Sequence, residues 1–411
     1  MPSTTLPAPR RHDLDWIRVG AFSLLILYHV GMFYVPWDWH VKSPRQLEWL
    51  APLMTLTNPW RLTLLFLVSG CATRFLFDRF TEDGRGPAAL AGSRLLRLAP
   101  PILFGIAVVV PPQSYYQISE ALSSAGVADP AQHPALTDFW LRYMSGSGAW
   151  CGQQGCLVTP TYNHLWFVVY LLLYSLLLCA LLAAPGVPRL MNLISARLGG
   201  VAVLAAPVVY LALIRLLLAP RFPMTHAVVE DWYNHALSFG AFLLGFMLAR
   251  SDRATQTFMR YRRPALLVAA ASWALWASYT WLWGVDDPDG RFRPIIEVAY
   301  ALDQWAFIVA ILGFGARWLN HGGPMLRWLR VGIFPFYIIH QTVIIVTGHH
   351  LAKQHLPLFV EATLIITATV TACWLTYGVA RRVGWAGLLL GVSPARANRP
   401  PLAQAPSGRG P

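Results

Sequence analysis

Charge is what this sequence has least of. Only 12% of its 411 residues are Asp, Glu, Lys or Arg, about half the roughly 25% found in soluble domains. Apolar residues make up 56% and mean hydropathy is +0.47. So few charges do not cover the surface of a soluble protein of this size. A soluble enzyme, a disordered chain and a collagen-like fibre are therefore excluded. Lysine is nearly absent: Lys42 and Lys353 stand alone among 32 basic residues, so the +13 charge is carried by arginine and not by a lysine-rich tail. An arginine excess in a hydrophobic chain is what cytoplasmic loops of membrane proteins show, and nucleic acid is not an expected partner. Cysteine is scarce, with five. Cys71, Cys179 and Cys373 fall in apolar runs and read as small core residues. Cys151 and Cys156 bracket Gly-Gln-Gln-Gly. They can close a disulfide in an oxidising compartment or remain free thiols. With His164 they do not complete a tetrahedral set, so no metal is expected. Walker loops, Gly-x-Ser-x-Gly elbows and His-Glu-x-x-His motifs are missing too, and no folded domain is expected after residue 392.

What the chain has instead is a series of apolar runs near the 20-residue length of a membrane helix. Ten spans are expected, at roughly 16–36, 59–78, 97–112, 164–184, 200–219, 233–250, 264–284, 295–316, 331–350 and 359–380. Their apolar residues do not alternate, which argues against barrel strands. The expected fold is an all-α polytopic membrane protein with a single transmembrane domain over 14–382. A tail covers 1–13, an outer loop 113–163, and a largely disordered Pro/Ala/Arg-rich tail 383–411. The first span has no small-residue cleavage site after it and reads as a retained helix. With the N-terminus inside, loop Arg and Lys divide 21 inside to 7 outside, which predicts both termini in the cytoplasm. Trp37, Trp39, Trp281 and Trp283 would then mark the outer interface.

Ionisable groups within such spans are costly and mark functional candidates. Arg18 and His29 share the first span. Eleven residues at ~100° each bring both to one helix face, separated along the axis by about 16 Å. That face can join an inner anion-binding group to a general base beyond the midplane. The plainer alternative is a snorkelling Arg, neutralised by Asp15 at i−3, and a packing His. Arg94 and Arg97 share a face at the inner mouth of the third span, where paired guanidinium groups suit phosphates or simply follow positive-inside charge. His164 begins the fourth span and His340, followed by Gln341, lies within the ninth. Both suit a polar cavity or an interhelical hydrogen bond. Arg61 and Arg215, near outer helix ends, can hold an acceptor or a carboxylate-bearing acyl group, or snorkel.

Several of these residues stand in recognisable segments. They are Leu14-Asp15-Trp16-Ile17-Arg18 with His29 after ten further residues, Leu65-Phe66-Leu67-Val68-Ser69-Gly70, Arg94-x-x-Arg97, His164-Leu165-Trp166-Phe167 and Phe336-Tyr337-Ile338-Ile339-His340. In this order the chain resembles the acyltransferase-3 family of bacterial integral membrane acyltransferases, over about residues 12–382. Tyr28-His29-Val30-Gly31-Met32-Phe33 looks most like the branch named for glucan biosynthesis protein C, associated with succinylation of periplasmic glucans. The resemblance implies a multi-pass protein of the bacterial inner membrane and no bound cofactor. It also implies transfer of an acetyl or succinyl group from cytoplasmic acyl-CoA to a saccharide hydroxyl outside. Arg18, Arg94 and Arg97 would hold the CoA phosphates. His29 would act as general base or carry the acyl group. Arg61, His164 and His340 would position the acceptor or acyl group. The competing expectation is a transporter or flippase that uses the same His and Arg, with Glu297 and Asp303 as its acidic groups.

Overall fold

A computed structural model describes residues 10–125, 134–148, 150–152, 155–283 and 290–392. Ten helices coincide with the ten expected spans. They are α1 (His12–Tyr34), α3 (Asn58–Glu82), α4 (Pro87–Phe104), α7 (Trp166–Ala183), α9 (Val201–Leu217), α10 (Trp232–Leu248), α11 (Asp252–Trp283), α12 (Arg293–Trp318), α13 (Pro324–Ala352) and α14 (Leu358–Arg382). Short helices α2 (Leu50–Thr55), α5 (Pro111–Ser124), α6 (Leu136–Ser145), α8 (Val187–Arg197) and α15 (Gly384–Leu389) join or flank them. The protein is an all-α polytopic membrane protein; among the described residues the strands are one antiparallel hairpin, β1 (Trp150–Gly152) and β2 (Gly155–Leu157).

By length and apolarity, eight helical stretches can each cross a membrane among the described residues, or nine when α8 and α9, bent by 115°, count as one. The sequence suggests ten. The difference lies in α9 and α10, at 17 residues each. Such a helix reaches about 26 Å, short of a ~30 Å hydrocarbon core.

Two boundaries differ from expectation. Pro111-Pro112 does not end the third span. Proline is tolerated in the first turn of a helix, where its missing N–H has no partner to lose. A π-turn over Gly105–Val109 therefore leads from α4 straight into α5. The segment 113–163 is thus not simply a loop, since it contains most of α5, α6 and the hairpin. The ordered body also runs past 382: α15 packs on α14 and α4, and Ala386, Leu390 and Val392 are buried. Residues 1–9 and 393–411, the greater part of the expected tails, lie outside the described residues. The hairpin register sets Cys151 opposite Cys156, but the side chains of both lie outside the described residues, as does any disulfide.

At one end of the bundle, polar ties cross between helices. Arg11 donates to Thr255 (3.0 Å), the His12 N–H to Asn320 Oδ1 (3.0 Å) and Arg250 to Asp78 (2.8 Å). The start of α1 thus meets the start of α11 and the loop after α12, and the end of α3 meets Arg250 just before α11, as alternating spans require.

Contact between α3 and α10 is set by two glycines. Lipid supplies little hydrophobic drive between helices, so small residues that let backbones approach become the packing device. A Cβ on Gly70 would lie 2.0 Å from the Phe242 carbonyl oxygen, and one on Gly245 would lie 1.9 Å from that of Leu67. Cys71 Sγ donates to the Gly245 carbonyl at 3.1 Å. A Cβ on Gly20 would meet nothing within 4 Å. Gly245→Ala should therefore lower the thermal midpoint in detergent, at a cost of about 1–3 kcal/mol, while Gly20→Ala leaves it unchanged. Equal midpoints for the two variants would contradict this packing.

Candidate active site

The centre of the site is built between α1 and α13, which lie side by side. Arg18 Nη2 donates to the Arg330 carbonyl (3.5 Å), and His29 Nδ1 meets His340 Nε2 at 2.9 Å. Both α1 residues therefore reach the same neighbouring helix, as their spacing predicts.

Partners fix the proton positions. His340 Nδ1 lies 2.7 Å from the Tyr337 carbonyl oxygen and 3.2 Å from that of Phe336. Carbonyl oxygens only accept, so Nδ1 carries the hydrogen and Nε2 of the neutral ring accepts. His29 must then donate from Nδ1. Its Nε2 is left with a bare lone pair and no partner among the described residues. His340 is fully buried, whereas His29 is partly exposed.

His164 joins the pair. It stands in a 3₁₀ turn, Asn163–Leu165, that opens α7. Its ring meets that of His340 edge-on, 5.3 Å between centroids. Nε2 donates to the Ile338 carbonyl (2.9 Å), so Nδ1 accepts from Gln113 Nε2 (3.2 Å). The Tyr337 hydroxyl donates to the His164 carbonyl. Three histidines from distant parts of the sequence are thus gathered at one place.

Around them runs an amide network that the sequence reading did not find. Gln113 also donates to Thr342 Oγ1 (2.7 Å) and accepts from Gln341 (3.1 Å) and Asn163 (3.3 Å). Thr342 donates to the Val109 carbonyl in the π-turn (2.7 Å). His40 donates from Nδ1 to Gln117 (2.6 Å) and accepts at Nε2 from Gln341 (3.1 Å). Loss of water lowers the pKa of His40, opposed by the bond to Gln117, so its ring is the neutral acceptor this network needs. Glu120 reaches His349 at 2.6 Å. Gln113, Gln117 and Glu120 are spaced i, i+4, i+7 along one face of α5. That spacing was the available signal, hidden by reading Pro111-Pro112 as a stop.

The arginines divide into two kinds. Arg215 donates to Glu297 (2.6 Å) and to the Tyr233 hydroxyl (3.0 Å), above the Tyr300 ring. It is neutralised. Arg61 is 2% exposed, lies 3.6 Å above the Tyr28 ring and donates to Thr57 (3.1 Å), with Nε unpartnered. No carboxylate lies within ion-pair distance of Arg61 among the described residues. Near the other end, Arg94 donates to Thr73 (2.5 Å), and the Nε atoms of Arg94 and Arg18 are buried without partners. Arg18, Arg94 and Arg97 are near enough to act on one another's charge. Asp15 is near enough for its charge to favour the Arg18 cation, but its ion pairs are with Arg10 at 2.9 Å and Arg330 at 3.9 Å. Of the acids weighed for a transporter, Glu297 is spent on Arg215, and Asp303 accepts from Trp276 Nε1 (2.8 Å).

Comparison with known proteins agrees with this architecture. The family model described as "Acyltransferase domain", acyltransferase 3, matches residues 11–378. The chain belongs to this family of acyltransferases and is a multi-pass membrane protein. Among curated proteins it is similar to "Glucans biosynthesis protein C" of Salmonella paratyphi B, Salmonella heidelberg and Salmonella enteritidis, at 32% identity over 77 residues in each case. Each match spans 19% of this chain and 20% of the relative. No solved structure matches.

If the amide network holds the histidine rings in register, Gln113→Leu should remove four bonds at near-constant volume. Acyl transfer is expected to fall about tenfold or more, since a misplaced catalytic group costs up to ~10²-fold. An unchanged kcat in a well-folded Gln113→Leu protein would show that the network has no part in positioning.

Proposed function

We propose that this acyltransferase moves an acetyl or succinyl group from cytoplasmic acyl-CoA to a hydroxyl of a periplasmic or cell-envelope saccharide. In this reading the protein lies in the bacterial inner membrane with both termini inside, supported by the 21-to-7 division of loop Arg and Lys. The observation that carries the proposal is the bare Nε2 of His29, whose Nδ1 donates to His340 Nε2 at 2.9 Å. The relatives named for glucan biosynthesis favour a glucan as acceptor.

Arg18, Arg94 and Arg97 form the donor end. Guanidinium groups with no ion-paired carboxylate among the described residues suit the CoA phosphates by charge-assisted hydrogen bonds. About 16 Å of α1 separates Arg18 from His29, a distance the pantetheine arm spans while the nucleotide stays at the cytoplasmic face. At His29 the acceptor hydroxyl gives its proton to Nε2 as its oxygen attacks the thioester carbonyl. The carbon–sulfur bond breaks, and the departing thiolate takes that proton, which restores the lone pair. His340 keeps its own proton on the Tyr337 carbonyl throughout and accepts from His29 Nδ1. That bond strengthens the electron-rich face of His29 and stabilises the imidazolium as it forms. Arg61, buried without an acid, supplies positive charge beside Tyr28 for the thioester oxyanion or an anionic acyl group. A transporter would need intramembrane acids; with Glu297 neutralised, only Asp303 remains of those weighed.

Purified protein with acetyl-CoA or succinyl-CoA and a pool of glycans should release free CoA thiol in an acceptor-dependent way. His29→Ala should lower that rate by about 10²–10⁴-fold, the usual worth of general acid–base catalysis. Arg94→Gln and Arg97→Gln should raise the KM for the CoA ester about tenfold with little change in kcat, equivalent to about 1.4 kcal/mol of binding. A His29→Ala protein that turns over like the wild type would remove the base from the proposal.

A further inference from the structure

The segment between α1 and α2 turns back over the histidines and is tightly tied. The Ser43 N–H donates to the Phe33 carbonyl (2.9 Å) and that of Leu47 to the Tyr34 carbonyl (2.8 Å). Lys42 Nζ donates to the carbonyls of Met32 (2.6 Å), Trp37 (2.8 Å) and Val35. His40 is held between Gln117 and Gln341, and Arg45 reaches the His355 carbonyl (3.3 Å).

These bonds fix Trp39. As an interfacial anchor it would point outward to the headgroups. Instead it packs on the cluster containing Val30, Phe33 and Ile344. Its ring lies nearly parallel to that of His29, at 11° and 6.4 Å between centroids. It is partly exposed, and its indole N–H meets no acceptor among the described residues. Beside the His29 ring there is therefore an ordered aromatic face with an unused donor at its edge.

The chemistry of that face selects its ligand. A pyranose ring offers a flat C–H surface to the electron-rich indole and hydroxyl oxygens at its rim for the N–H. A phosphate or carboxylate would be repelled by the ring face, and the nearby Lys42 ammonium is already engaged with three carbonyls. Resting on the acyl-transfer reading above, we infer that Trp39 is the docking platform for the acceptor. It receives a neutral pyranose ring stacked so that one hydroxyl faces His29 Nε2.

The test is equilibrium dialysis of a radiolabelled neutral β-linked gluco-oligosaccharide against the full-length protein in lipid nanodiscs. CoA release from acyl-CoA in the presence of the sugar is followed in parallel. Trp39→Ala should weaken sugar binding about tenfold, or about 1.4 kcal/mol. Trp39→Phe should stay near wild type, because it keeps an aromatic face. Trp49→Ala, at a 62% exposed tryptophan nearby, should change nothing. Should Trp39→Ala aggregate, Trp39→Leu replaces it, keeping apolar bulk without a ring. Undiminished binding by the ring-free variant, or no binding of the oligosaccharide by wild type, would overturn the platform. Absence of CoA release in wild type, with sugar binding still dependent on Trp39, would instead count against the acyl-transfer reading alone.

Discussion

The polar centre of this molecule depends on one bond, from His340 Nδ1 to the backbone carbonyl of Tyr337. A carbonyl cannot donate, so the bond settles the tautomer of His340. Through His340 it settles that of His29, and so decides which His29 nitrogen is left bare. A side chain in that position would be free to exchange donor for acceptor; the backbone carbonyl of a helix is not. The donor and acceptor roles of both rings are in this way written into main-chain geometry. The neighbouring amides extend the same logic, each spending its hydrogens on a fixed acceptor until the chain reaches His40, Thr342 and the π-turn of α4.

The surroundings give these bonds their weight. Unmet polar groups are expensive in a bundle that faces lipid, and most of this protein's buried charges are visibly answered. Asp13 holds Arg11, Asp78 bridges Arg74 and Arg250, and Glu297 holds Arg215. Against that background, the largely buried Arg18, Arg94 and Arg61, with the exposed Arg97 beside the first two, stand out because no acid lies within ion-pair distance of them among the described residues. Three gather near one end of α1 and the fourth lies near the other, beside Tyr28 and one residue from His29. Two positive poles with a base at the second suit a reactant with an anionic head and a reactive far end.

Much of this was legible in the sequence, and the misses have physical causes. Helical period alone placed Arg18 and His29 on one face, because a rotation of 100° per residue does not depend on what the helix touches. Hydropathy located all ten helices, because each must be apolar to lie in this bundle. Partnership was illegible. Arg215 and Glu297 are 82 residues apart, and nothing local distinguishes an arginine that has an acid from Arg61, which has none. The amide network was missed because it depends on α5, and α5 depends on reading Pro111-Pro112 as a helix start and not as a helix end. Trp39 was placed in an interfacial belt by residue type, whereas the bonds of His40 and Lys42 turn it inward.

The account's central claim is that His29 carries its hydrogen on Nδ1 and presents a bare Nε2. Nitrogen NMR of the protein labelled with 15N-histidine, with His29 assigned by comparison with His29→Asn, reads this directly. The account predicts a neutral His29 ring protonated at Nδ1 at neutral pH, and the same tautomer for His340. A His29 ring found protonated at Nε2, with Nδ1 bare, would contradict it, since the nitrogen facing the acceptor would then have no lone pair to offer.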